Sequence, residues 1–182
     1  MGTDKAALQI GGMTLLERTA RLALAVNPAV LVIGRVCPHG WPLPEVKFAE
    51  DAEAGLGPAG GLATALRQTQ RSVLALACDL PLLTEEALRW IAAQAKSRCG
   101  PSGLVTANGK QWEPLFSIYL PACLPLIEAR LAEGRRSLQG LIEAGEFAFV
   151  QAPEWLAVQL ANVNTPKEWQ EKTGKPPAPI KP

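Results

Sequence analysis

Residues 73–81, V-L-A-L-A-C-D-L-P, decide the fold. Val73 to Ala77 is continuously apolar and too short for a buried helix, so it reads as a strand covered on both faces. Pro81 stops the run, and Thr84-Glu-Glu86 supplies a hydroxyl cap and two acids for the start of a helix. A buried strand feeding a capped helix is the unit of an α/β sheet, in which ligands gather beyond the carboxyl ends of the strands. Asp79 occupies that position.

The same alternation extends in both directions. Upstream, Thr14 and Glu17 form a capping box for a helix running to Val26. Val30 to Gly34 and Val46 to Ala49 read as short strands, and the glycine-rich turn Gly55 to Gly61 enters a helix at Pro58. Downstream, strands are expected over Gly103–Ala107, Leu115–Tyr119 and Phe147–Val150, with helices over Leu124–Leu131 and Ser137–Ala144. Thr165 and Glu168 make a second capping box, with Pro166 at the first helical position. The apolar strand runs predict a mostly parallel sheet with helices on both faces. Residues 1–172 are expected to form one domain and residues 173–182, with four prolines, a disordered tail.

Composition narrows the function classes. The chain has 182 residues, 48% of them hydrophobic, which supplies a core. Eighteen basic and seventeen acidic residues leave a net charge of +1, so a nucleic-acid polymer is not expected as partner. The longest apolar run falls far short of the roughly 20 residues that span a bilayer, so no membrane contact is expected. Cys37, Cys78, Cys99 and Cys123 form no zinc or redox pair and read as thiols of a reducing, cytoplasmic compartment. His39 is the sole histidine, in a proline-rich loop, and no G-x-S-x-G elbow or Cys/His arrangement is present. Acyl transfer and zinc hydrolysis therefore lack candidates, whereas phosphoryl-type transfer needs positioning, a metal and positive charge.

Each residue suited to that chemistry also has a plainer reading. Asp79 could hold magnesium, which binds one or two carboxylates plus substrate phosphates, or cap the turn before Thr84. Lys5, beside Gly2 and Asp4, could pair with phosphate or be solvated. Asn162 and Asn164 share a face if extended and precede a capped helix start, a place that favours anions; the alternative is an Asx-turn loop. Gly57 to Gly61 offers either close backbone approach to a ligand or tight helix packing.

In order along the chain stand M-G-x-D-K-x-x-L, G-x-x-L-L-E-R, G-P-x-x-G, C-D-x-P, E-P-L-F and N-V-N-T-P. Together they resemble the molybdenum cofactor guanylyltransferases, the MobA family of the nucleotidyltransferase superfamily, over about residues 1–172. The resemblance implies a three-layer α/β Rossmann-like fold and transfer of GMP from GTP to molybdopterin, with magnesium and release of pyrophosphate. By motif it implies that Lys5 and Gly2 contact the nucleotide phosphates, that Asp79 binds magnesium and GTP, that Asp51 contacts the nucleotide, and that Asn162 and Asn164 lie at the active-site mouth. It further implies pathway proteins as partners. Met1 and Gly2 match the end of the family's glycine-rich loop, so the first strand is expected to be missing. That strand would lie between Val30–Gly34 and Val73–Ala77, and without it the 182-residue form is expected to fold poorly and to transfer no nucleotide. Gly34 stands where the family often has an asparagine that touches the nucleotide. The nearest rival is a cytidylyltransferase for the same cofactor. The rival from another class is a non-catalytic binding protein that keeps only the scaffold.

Overall fold

A computed structural model describes residues 5–10, 12–51 and 55–161. A 3-10 turn, Lys5–Ala7, leads into the antiparallel pair β1 (Gln9–Ile10) and β2 (Met13–Thr14). Helix α1 (Leu15–Val26) follows directly, because the Thr14 hydroxyl accepts from the Glu17 N–H at 3.1 Å. Glu17 Oε1 in turn accepts from Arg21, one turn further on. Strands β3 (Leu31–Ile33) and β4 (Lys47–Ala49) pair in parallel across the proline-rich loop. Then come α2 (Gly57–Thr69), with Pro58 in its first turn, β5 (Val73–Leu76) and α3 (Glu85–Ser97).

The second half builds the largest sheet. Strand β6 (Gly103–Asn108) turns at Gly109 into β7 (Gln111–Trp112), and β8 (Phe116–Tyr119) returns along the same edge of β6 to reach β5. Helices α4 (Leu124–Ala132) and α5 (Leu138–Ala144) lead to β9 (Phe147–Gln151), which runs parallel along the other edge of β6. A short helix, α6 (Glu154–Ala157), follows.

The expected α/β class and its three layers hold, and every strand foreseen over the described residues forms within a residue or two of its place. The expectation of a mostly parallel sheet needs correction. β8 is antiparallel to both β5 and β6, and β7 is antiparallel to β6; the parallel pairs are β3–β4 and β6–β9. The reason is connection length. Residues 109–115 are too few for a crossover, which takes a dozen or more residues, so the chain must double back.

Alternation along the strands fills the core on both faces. Leu74, Leu76, Phe116, Ile118 and Leu104 face α1 and α3, meeting Leu83, Leu88 and Ile91. Val73, Ala75 and Tyr119 face the other way, against Leu62 and Leu66 of α2, Ile127 of α4 and Leu141 of α5. Full burial of each large side chain contributes about 1.5–3 kcal/mol. Helix α2 packs against both β3 and β5 and so ties the small parallel pair to the main sheet. The expected tail, the capping box at Thr165, Gly2, Asn162 and Asn164 lie outside the described residues.

Candidate active site

Two carboxylates stand just past strand ends, where an α/β sheet binds its ligands. Asp79 follows β5 in the turn before α3 and is half-buried. The α3 cap is provided by Thr84, whose hydroxyl accepts from the Ala87 N–H at 3.4 Å and also donates to Gln159 at 2.9 Å. Asp51 follows β4, whose register with β3 is fixed by Gly34 N–H donating to the Ala49 carbonyl at 2.9 Å.

Glycines shape the seat of Asp51. Gly34 has a φ of +76°, and a Cβ there would come within 2.9 Å of Asp51 Oδ2. A Cβ at Gly61, in α2, would stand 3.5 Å from Asp51 Oδ1. Oδ1 is buried and has no hydrogen-bond partner among the described residues. A buried acceptor left unpaired costs about 1–3 kcal/mol, more for a charged group. A Cβ at Gly60 would stand 2.5 Å from that of Leu56, the N-cap residue of α2 itself, so a side chain there would crowd the helix's own entry turn. The start of the turn is held from outside, by Arg136 donating to the Gly55 carbonyl at 2.9 Å.

The E-P-L-F motif forms a loop between β7 and β8 with most of its backbone groups engaged. Glu113 N–H donates to the Thr106 carbonyl at 2.9 Å, and the Glu113 carbonyl accepts from Phe116 N–H at 2.9 Å and the Ser117 hydroxyl at 2.7 Å. Pro114 brings no donor, and its carbonyl accepts from the Tyr119 hydroxyl at 2.9 Å. The Leu115 carbonyl accepts from Ala77 N–H at 3.1 Å, which locks this loop to the chain two residues before Asp79. Beside it opens a cleft of about 880 Å³, lined by Asn108, Trp112, Glu113, Gln139 and Glu143, with Leu160 and Ala161 on its wall. Burial raises the Glu113 carboxyl above its ordinary pKa, and the amide of Asn108 partly opposes this.

Of the residues singled out in the sequence, Asp51 and Asp79 take comparable positions at strand ends. Lys5 opens the 3-10 turn ahead of β1. Asn162 follows Ala161 in sequence, the last described residue of the cleft wall. Sequence reasoning gave no role to Asn108, Trp112, Glu113, Gln139 or Glu143. The Asn108-Gly109 dipeptide, a strong hairpin signal, could have revealed the turn that brings the first three together.

No group of three or more His, Cys, Asp or Glu side chains able to hold a metal occurs among the described residues. A single strand-end carboxylate fits a magnesium ion that takes its remaining ligands from phosphates and water, and does not fit a metal held by protein alone. Among the described residues, no helix is long and apolar enough to cross a membrane.

Residues 1–148 match the family model described as "MobA-like NTP transferase domain". Proteins named "Probable molybdenum cofactor guanylyltransferase" are similar: that of Synechococcus elongatus is 36% identical, covering 93% of this chain and 90% of the relative. That of Nostoc is 34% identical, covering 92% and 82%. The "Molybdenum cofactor guanylyltransferase" of Pseudomonas putida is 27% identical, covering 93% and 88%. The solved structure of molybdopterin-guanine dinucleotide biosynthesis protein A from Archaeoglobus fulgidus superposes with a TM-score of 0.73 at 22% identity, covering 95% of this chain and 90% of that one. The 2-C-methyl-D-erythritol 4-phosphate cytidylyltransferase of Thermus thermophilus gives 0.67 at 19%, covering 95% and 93%, which extends the fold to nucleotidyltransferases of other substrates. With that family model matched over most of its length and relatives of this identity, the chain belongs to the MobA-like NTP transferase family of nucleotidyltransferases.

Proposed function

We propose that the chain is a molybdenum cofactor guanylyltransferase, which transfers GMP from GTP to molybdopterin with release of pyrophosphate in the cytoplasm. The observation that carries this reading is the 36% identity to a relative of that name over nearly the whole of both chains. The acceptor phosphate is an anion at neutral pH and attacks the α-phosphorus of GTP. The bond to the β-phosphate breaks, pyrophosphate leaves, and no general base is required. Asp79 is the residue that would hold magnesium beside the phosphates of GTP. When bound, that ion neutralises charge on the phosphate oxygens. Lys5 contributes a point charge to the phosphates, and the Gly2 backbone approaches them. The unpaired Oδ1 of Asp51 accepts from the nucleotide. Asn162 and Asn164 follow directly on the cleft wall and serve the active-site mouth.

The test is pyrophosphate release with molybdopterin and magnesium, with each nucleoside triphosphate in turn. Release with GTP alone is expected. Preference for CTP would make the chain the cytidylyltransferase of the same cofactor, and GTP binding without release would make it a non-catalytic scaffold.

A further inference from the structure

The turn from Ala77 to Thr84 carries Asp79, and both of its ends are held by distant parts of the chain. At the front, Ala77 N–H donates to the Leu115 carbonyl at 3.1 Å. At the back, both polar groups of one peptide unit are taken. The Leu83 carbonyl accepts from Arg18 Nη2, in α1, at 2.7 Å. The Thr84 N–H donates to Gln159 Oε1, just after α6, at 3.0 Å, and the Thr84 hydroxyl donates to the same oxygen at 2.9 Å. That C=O and N–H share one rigid plane and point in opposite directions, so two side chains, 65 and 75 residues away in sequence, fix its position and tilt. Between the two ends, Leu80 and Leu83 are buried in the same core cluster as Leu156 and Leu160.

Arg18 is a costly group with which to hold a carbonyl. It is half-buried, and burial lowers its pKa from the ordinary arginine value. Its Nη1 is buried without a hydrogen-bond partner among the described residues. The hydrogen bond that Arg18 makes and the donor that it leaves unpaired are of similar size and opposite sign, so little net stability follows. What the arrangement secures is geometry. We propose that Arg18 and Gln159 are positioning residues of the transfer site: by gripping the Leu83–Thr84 peptide from opposite sides, they preset the turn on which Asp79 meets the metal that accompanies GTP. This rests on the guanylyltransferase reading, in which Asp79 holds that metal. A shift of about 1 Å at a reacting site, caused by a change remote from it, can cost about a hundredfold in rate, so the grip on this turn bears on transfer.

The test is binding of GTP to the full chain with and without Mn2+, the bound Mn2+ being read by its EPR signal, alongside transfer at varied magnesium concentration. Arg18→Met removes the donor together with the buried charge. It should melt no lower than wild type, yet bind Mn2+–GTP about tenfold more weakly while its affinity for metal-free GTP is unchanged. The magnesium needed for half-maximal transfer should rise by a similar factor, with KM for molybdopterin unchanged. Arg18→Lys, whose ammonium can donate to the same carbonyl, should recover most of the loss. Gln159→Leu should show the same metal-specific weakening from the other end of the peptide, and Gln159→Glu, which keeps the acceptor, should not; this pair decides the matter should Arg18→Met fail to fold. Arg67→Met, which removes an exposed pair with Glu128, should leave both affinities and the magnesium requirement at wild-type values. A lowered melt with Mn2+–GTP binding at wild-type strength, in Arg18→Met or in Gln159→Leu, would overturn the proposal by making the grip a strut and nothing more. Equal loss of affinity with and without metal would also overturn it, since Asp79 would not be what moved. Failure of the guanylyltransferase reading would appear separately, as a wild type that binds Mn2+–GTP and transfers no GMP.

Discussion

Gly34 illustrates how one missing side chain builds a site. Its positive φ favours glycine, and a Cβ there would meet Asp51 Oδ2 at 2.9 Å, so a side chain at this position would push that carboxylate aside. Gly34→Ala should cost about 1–2 kcal/mol from the backbone alone. That lowers the melting temperature by roughly 2–8 °C for a chain of this size, and it should weaken GTP binding as the Asp51 carboxylate is displaced. An unchanged melt with unchanged GTP affinity would mean that the two residues are not in contact. The cysteines offer a second residue-scale check. Cys123 is wholly buried, and burial pushes its thiol up to about 11. At pH 8 a thiol reagent should modify Cys37 readily and Cys99 more slowly, since burial raises the Cys99 thiol, and should leave Cys123 untouched until the protein unfolds. The sign of the linkage follows. The folded state holds the Cys123 proton more tightly than the unfolded state, so this contribution to stability is full below pH 9 and is lost as the pH rises through about 11.

At the scale of elements, β6 is the strand most constrained by its neighbours, with partners on both edges. Gly103 opens it with a φ of +143°, and a Cβ there would lie 2.1 Å from the Ile118 carbonyl oxygen of β8. Both atoms are fixed by the ladder, so Gly103→Ala should destabilise by on the order of 4 kcal/mol, read by urea unfolding. A loss below about 1 kcal/mol would show that β8 can move aside. The elements themselves were legible in the sequence because their signals are local: the apolar run over residues 73–77, the hydroxyl caps at Thr14 and Thr84, and Pro58 at a helix start. Pairing direction was not, because β8 is as apolar as a parallel strand and its antiparallel course follows from the short return after the β6–β7 hairpin. The residues of the candidate site divide along the same line. Asp79 was marked by its place at the end of a strand and Asp51 by its match to the family motif, whereas the Glu113–Asn108 pair depends on a hairpin register and on α6, both products of tertiary packing.

For the whole molecule, protection from solvent should follow the sheet. Among the described residues, β6 is paired on both edges, while β3 pairs with β4 alone and β5 with β8 alone, and α2 covers both. Hydrogen exchange should therefore be slowest at the amides of β6 and β8 and faster at those amides of β3 that point away from β4. Uniform protection across these strands would mean that a further partner lies along the β3 edge.

Two carboxylates at strand ends and a cleft across β8 are read here as a guanylyl-transfer site, and the path of the α-phosphate tests that reading most directly. Wild type and Asp79→Asn should be incubated with molybdopterin, magnesium and GTP labelled either at the α- or at the γ-phosphate. In wild type the α-label should appear in the pterin product and the γ-label in pyrophosphate. Asp79→Asn should melt like wild type and transfer less than about one part in a hundred, as expected when a preorganised charge interaction at the reacting phosphate is removed. Wild-type turnover by Asp79→Asn, or α-label that never reaches the pterin although GTP is bound, would contradict it.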